Sequence, residues 1–187
     1  MCESLSLTHI CPTCQDTHLK PKLFTRKLPN NIEVISFYKY DEIKDLLHTK
    51  HTDLGFYIFK ILASNSMKSF AKNFEFESTL HSVAIDDVVH DSYSHTAILN
   101  KALDSKHIKA LHSKLRATNT TSYSGKSKLF REQNPRNFTL KEFKSKELIL
   151  VDDIITTGST LTQAISTMEE HNKEVIFCLT LADASRK

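Results

Sequence analysis

Glycine is scarce in this chain, with only Gly55, Gly125 and Gly158 among 187 residues. That scarcity excludes the glycine-rich phosphate loops: neither G-x-x-x-x-G-K-[ST] nor G-x-G-x-x-G occurs. Each glycine that remains marks a place where the backbone needs one. Long apolar runs are also lacking, and none reaches the roughly 18 residues of a membrane-spanning helix. Charge of one sign is missing as well: the formal net charge of +3 is too small by itself to argue for nucleic acid. The N-terminus is polar and carries no apolar signal-peptide core, so the expected location is cytoplasmic. An apolar content of 40% is enough for one core, and the length suits one domain with a small appendage.

What is there centres on 147–161. Leu148 to Val151 is an apolar run of strand length. Asp152 and Asp153 follow, then two β-branched residues, then Thr156-Thr157-Gly158-Ser159-Thr160. Leu161, Ala164, Ile165 and Met168 recur at the spacing of an amphipathic helix. The order is strand, acidic corner, hydroxyl-and-glycine loop, helix. Gly158 allows a tight turn. The helix N-terminus favours an anion such as phosphate, and four hydroxyls stand ready to donate to it. Ionised aspartates only accept hydrogen bonds, so Asp152 and Asp153 suit ribose hydroxyls or a metal-bound diphosphate. The bland alternative is a helix cap, which needs one such residue and not seven.

Four cysteines occur, three of them, Cys2, Cys11 and Cys14, within the first fourteen residues. Cys11-Pro-Thr-Cys14 has the spacing of a two-thiolate zinc knuckle. Cys2 is the candidate third ligand, and the fourth is His9, His18 or a group outside the chain. A redox pair fits less well, because no strand–loop–helix unit surrounds it. Cys178 lies in the apolar run Val175 to Leu181 and reads as a buried strand residue.

The rest of the chain supplies the surroundings. Lys20, Lys22, Arg26 and Lys27, with Pro21 and Pro29, read as a basic linker or arm. Residues 1–30 thus form an N-terminal segment and 31–187 the main domain. Ile32 to Tyr40 reads as a strand. Asp41 caps a helix to about His48, a second helix runs from about Thr52 to Ala63, and Lys68 to Phe76 is a further helix or an irregular segment. His81 to Ile85 is a short strand ending at Asp86-Asp87, followed by a helix capped by Ser94 or Thr96. In open α/β sheets neighbouring strand ends share one crevice, so the Asp86 and Asp152 corners are expected to face one ligand, unless Asp86 and Asp87 only cap the next helix. Leu111 to Asn137 is polar, basic and poorly periodic, and reads as a long loop. Its Lys114, Arg116, Lys126, Lys128, Arg131 and Arg136 suit a diphosphate or nucleic-acid phosphates, with Tyr123 or Phe130 for stacking. A plain solvated face is the remaining alternative.

From Leu148 to Leu161 the chain resembles the phosphoribosyl-diphosphate (PRPP) motif of type I phosphoribosyltransferases. The resemblance implies an α/β domain with a mainly parallel sheet flanked by helices. It implies PRPP held by Asp152, Asp153, Thr156, Thr157, Gly158, Ser159 and Thr160. It also implies Mg²⁺ near Asp86 and Asp87, with Lys114 and Arg116 on the departing diphosphate. The cysteine segment, the Phe37–Tyr40 strand, the Asp41–Leu47 helix and this motif stand in the order of ComF-type competence proteins. That likeness implies a role in DNA uptake and natural transformation, with single-stranded DNA and the uptake machinery as partners and structural zinc at the N-terminus. The sequence departs from the family pattern in carrying Val83-Ala84-Ile85-Asp86 and Ser92-Tyr93-Ser94-His95-Thr96 at the first acidic corner. The alternative function is a metabolic phosphoribosyltransferase acting on a base or amine.

Overall fold

The computed structural model describes residues 5–86, 93–119 and 136–185. In chain order the elements are α1 (Pro12–His18), β1 (Phe24–Lys27), β2 (Glu33–Lys39), α2 (Tyr40–Leu47), α3 (Asp53–Ala63), α4 (Ser69–Asn73), β3 (Leu80–Asp86), α5 (His95–Ala102), β4 (Ile108–Ala117), β5 (Phe138–Leu140), β6 (Glu147–Ile155), α6 (Ser159–Glu170) and β7 (Glu174–Asp183). A short 3₁₀ turn, His48–His51, joins α2 to α3, and a π turn, Ser64–Lys68, joins α3 to α4.

Among the described residues the strands form one seven-stranded sheet in the order β1-β2-β7-β6-β3-β4-β5. The five inner strands pair in parallel, and both edge strands pair antiparallel. Parallel strands covered on both faces read as continuous apolar runs, which is why Leu148 to Val151 shows no alternation. Leu148 and Leu150 pack into the cluster that holds Leu161, Ile165 and Met168 of α6. Ile149 and Val151 pack into the opposite cluster, with Phe59 and Leu62 of α3 and Leu99 of α5. All four are fully buried, each contributing about 1.5–3 kcal/mol of apolar transfer free energy.

The α/β architecture matches the expectation; two local readings need correction. The basic stretch 20–29 is not a free arm: Phe24–Lys27 is an edge strand in register with β2, Phe24 opposite Ser36 and Arg26 opposite Val34. The strand is short and its charged side chains suit a sheet edge, so composition alone made it look like a linker. The span Leu111–Asn137 is not one long loop. Its start belongs to β4 and its end leads into β5, while 120–135, with Tyr123, Gly125, Lys126, Lys128, Phe130 and Arg131, lie outside the described residues. The period of β4 is hidden by a bulge. Val83 pairs with Leu111 but Ile85 pairs with Leu115, and Ser113 takes a φ of 53° inside the irregularity. Extra residues on one strand break the two-residue alternation from which strands are recognised.

Smaller boundaries also moved. Thr52 caps α3, its hydroxyl accepting from the Gly55 N–H. Helix α2 begins at Tyr40, and the Lys39 N–H donates to the Glu42 carboxylate at 3.1 Å, so Asp41 is inside the first turn and not its cap. No helix among the described residues is long and apolar enough to cross a membrane.

Candidate functional site

The chain leaves β3 towards β4 on one side and leaves β6 towards β7 on the other, and β3 and β6 are neighbours. The carboxyl ends of two adjacent strands whose connections diverge define the crevice where ligands of open α/β sheets sit. Asp86 ends β3, and Asp152 and Asp153 lie near the end of β6.

The loop after β6 turns at Gly158, whose φ of 84° lies in the left-handed region. Only glycine takes this conformation at little cost, and a Cβ there would come within 2.5 Å of Leu28 Cδ2. Gly158 caps α6, and its carbonyl accepts from the Thr162 N–H at 2.9 Å. The first turn of α6 contains no acidic residue, so no side chain of the helix neutralises its positive end. Asp152, Thr156, Gly158, Ser159, Thr160 and Leu161 line a small, shallow hollow of about 10 Å³ at this end. The Thr157 and Ser159 hydroxyls lie 2.8 Å apart, and Thr157 Oγ1 accepts from the Ser159 N–H at 3.4 Å. Polar hydrogens at a helix start, with hydroxyls around them, make an anion cradle.

The two acids of the motif have separate surroundings. Asp152 lines the cradle, and its Oδ1 accepts from the Asp153 N–H at 2.8 Å. Asp153 faces the layer of α3 and α5, where its Oδ2 lies 3.1 Å from Lys50 Nζ and 3.1 Å from His95 Nε2. Burial opposes ionisation of Asp153, but Lys50 and His95 together outweigh it and hold the carboxyl well below the usual carboxylate range. Both aspartates are only 8% exposed. The turn that carries Lys50 is held in place: the Tyr93 hydroxyl donates to the Lys50 carbonyl at 2.7 Å, and Gly55 packs so closely on the Thr49 carbonyl that no Cβ fits.

At the first acidic corner, Asp86 Oδ1 accepts from the Ser94 hydroxyl at 2.8 Å and the Thr96 hydroxyl at 3.2 Å. Ser94 also caps α5, accepting from the Ala97 N–H. Burial pushes the Asp86 carboxyl up, opposed by those hydroxyls and by Arg116 and His112. Arg116 stands beside it in register across β3 and β4. Lys114 points elsewhere, its ammonium donating to the Glu142 carbonyl at 3.0 Å. Asp87 lies outside the described residues.

No three His, Cys, Asp or Glu side chains among the described residues gather to hold a metal ion by themselves. Asp86 and Asp152 place carboxylate oxygens at the ends of β3 and β6. At the N-terminus Cys11 caps α1 and Cys14 sits in its first turn, with Cys11 Sγ accepting from the Cys14 N–H at 3.4 Å. His9 is stacked on Tyr57 with ring centroids 4.2 Å apart, His18 ends α1, and Cys2 lies outside the described residues.

Lys50, His95, Tyr93 and Arg26 were not legible as site residues. Arg26 Nη2 donates to the Thr156 carbonyl at 2.6 Å, and its Nη1 lies 3.7 Å from Asp183 at the end of β7. No local pattern links these positions to the motif; the nearest signal was the basic character of 20–27.

No curated protein matches the chain. Among solved structures it is similar to hypoxanthine phosphoribosyltransferase from Staphylococcus aureus, at 14% identity and a TM-score of 0.40, over 67% of this chain and 62% of that one. It is similar to orotate phosphoribosyltransferase from Mycobacterium tuberculosis H37Rv, at 14% identity and a TM-score of 0.39, over 91% of this chain and 82% of that one. A Trypanosoma cruzi hypoxanthine phosphoribosyl transferase aligns at 19% identity and a TM-score of 0.37, over 67% of this chain and 62% of that one. The chain thus spans less than two thirds of the two hypoxanthine enzymes. The phosphoribosyl transferase domain family matches residues 55–187. That span takes in both acidic corners and the hydroxyl loop, and the chain belongs to the phosphoribosyl transferase domain family.

Proposed function

We propose that the chain binds PRPP with Mg²⁺ in the crevice between β3 and β6. The observation that carries this reading is the pairing of an anion cradle at the start of α6 with the acceptor-only carboxylate of Asp152 on its wall. The cradle suits the 5-phosphate, through Thr156, Thr157, Gly158, Ser159 and Thr160. Asp152 suits the ribose hydroxyls, with Asp153 beside it on the Lys50–His95 side. Asp86, Asp87 and Arg116 suit the Mg²⁺-diphosphate end. In a transfer reaction the bond from ribose C1 to the diphosphate oxygen breaks, its electron pair leaving with the diphosphate. A nucleophile forms the new bond to C1 and gives its proton to solvent.

The setting proposed is DNA uptake in the cytoplasm, with single-stranded DNA and the uptake machinery as partners. It is supported by the order of sequence elements and by the basic residues of β4 and 126–136. Structural zinc on Cys2, Cys11 and Cys14 belongs to the same reading and is supported only by the C-x-x-C spacing of Cys11 and Cys14. The competing reading is a metabolic transferase with a base or amine acceptor, favoured by the family itself.

Calorimetric titration with PRPP and Mg²⁺, with and without an oligonucleotide, tests the proposal. Saturable PRPP binding that disappears in Asp152→Asn is the expected result; no heat at millimolar PRPP overturns it. Diphosphate release with a small base or amine, and no oligonucleotide binding, selects the metabolic reading.

A further inference from the structure

The phosphate loop is held from behind by the N-terminal edge strand. Arg26 of β1 is 130 positions away from Thr156 in sequence, yet its Nη2 donates to the Thr156 carbonyl at 2.6 Å. Leu28, just past the end of β1, occupies the space where a Cβ of residue 158 would lie. Asp183 at the end of β7 faces the guanidinium at 3.7 Å, and the same carboxylate accepts from Lys39 Nζ at 3.3 Å and from the Ser185 N–H and hydroxyl. Burial lowers the Arg26 pKa and the Asp183 charge opposes that fall. The guanidinium thus makes one hydrogen bond, to Thr156, with Asp183 as an ion-pair neighbour, and its planar donors fix that bond with more geometric control than a lysine ammonium has.

A trans peptide unit is rigid, and its N–H points opposite to its C=O. Fixing the Thr156 carbonyl on Arg26 therefore turns the Thr157 N–H away from β1. Thr156 itself lines the cradle, together with Asp152, Gly158, Ser159 and Thr160.

We infer that Arg26 is a positioning residue for the phosphate loop: by gripping the Thr156 carbonyl it presents the Thr157 N–H to the 5-phosphate of a ribose-phosphate ligand. The inference rests on the proposed PRPP reading for its ligand, but not for the ordering of the loop. The N-terminal segment is then a working part of the phosphate site, because β1 carries both Arg26 and the turn to Leu28.

Three forms of the full chain test it: wild type, Arg26→Ala and Arg26→Lys. The readouts are thermal stability, ¹⁵N relaxation of the 156–160 amides without ligand, and affinity for ribose 5-phosphate. Arg26→Lys keeps a charge opposite Asp183, so a role confined to that ion pair is rescued by it; a positioning role is not. The expected result is a loop order parameter falling from roughly 0.85 towards 0.6 in both variants, unchanged order in α6, and affinity lower by roughly tenfold, the weight of one charge-assisted hydrogen bond. Unchanged loop order in Arg26→Lys overturns the inference, and so does an affinity restored to the wild-type value. Where Arg26→Ala fails to fold, Arg26→Lys alone decides. Where wild type does not bind ribose 5-phosphate, the PRPP reading fails, and the relaxation data still decide whether Arg26 orders the loop.

Discussion

His95 Nε2 lies 3.1 Å from Asp153 Oδ2, joining the first residue of α5 to the acidic corner of β6. Lys50 reaches the same oxygen. The second acid of the motif is thus a structural junction of the α3–α5 layer as well as a neighbour of the crevice.

Asp152→Asn and Asp153→Asn should therefore separate. Asp152→Asn should weaken PRPP binding at least tenfold with little change in melting temperature. Asp153→Asn leaves Lys50 and His95 without their shared anion and should cost about 1.5–3 kcal/mol of stability. Paired calorimetry and thermal melts check this. Equal melting losses in the two variants would contradict the division of roles.

The pH dependence follows from two carboxyls whose pKa values are shifted in opposite directions. The Asp153 pKa is lowered in the folded chain, so its stabilisation is present above the unfolded value of about 3.9 and is lost as pH falls through the folded value. The Asp86 pKa is raised, so the folded state binds the extra proton and stability falls as pH rises from about 3.9 through the folded value. Asp86→Asn should remove that penalty and leave the protein at least as stable at pH 7. Denaturant midpoints from pH 7 down to the lowest pH at which the chain stays folded measure both effects.

Gly158→Ala should be destabilising on two counts. A left-handed φ costs a residue with a Cβ about 1–2 kcal/mol, and Leu28 must move. Both a lower unfolding free energy and weaker ribose 5-phosphate binding are expected. A variant with wild-type stability would show that the turn is not held as described.

Cys178 is fully buried in β7, and burial, with Asp152 nearby, pushes its thiol far up. It should resist alkylation at pH 8 in the folded chain and react at once in denaturant. Mass mapping after brief iodoacetamide treatment distinguishes it from Cys11 and Cys14.

Single-stranded DNA binding, if it belongs to this chain, should weaken steeply between about 50 and 200 mM salt, because each neutralised phosphate adds to the slope. Anisotropy of a labelled oligonucleotide reads the slope directly. Salt-independent binding would argue against phosphate contacts.

Legibility differed by element. The Leu148–Leu161 unit was readable because strand run, turn glycine and helical period lie within one continuous stretch. Strand β1 was missed because four residues at a charged edge carry too little pattern. Strand β4 was missed because the irregularity around Ser113 shifts its alternation. Helix α5 was readable with a cap at Ser94 or Thr96, and the structure selects Ser94, since capping is a local bond.

Local order along the chain determined the class of fold, the acidic corners and the hydroxyl loop, since each depends on residues within a turn or two of one another. Tertiary structure decided which acid meets which partner. Asp152 opens on the cradle while Asp153 meets Lys50 and His95, and Arg26 finds Thr156 only because β1 is hydrogen-bonded into the sheet. Those contacts join positions far apart in sequence, and their geometry is set by how strands and helices pack, which no short stretch of residues encodes.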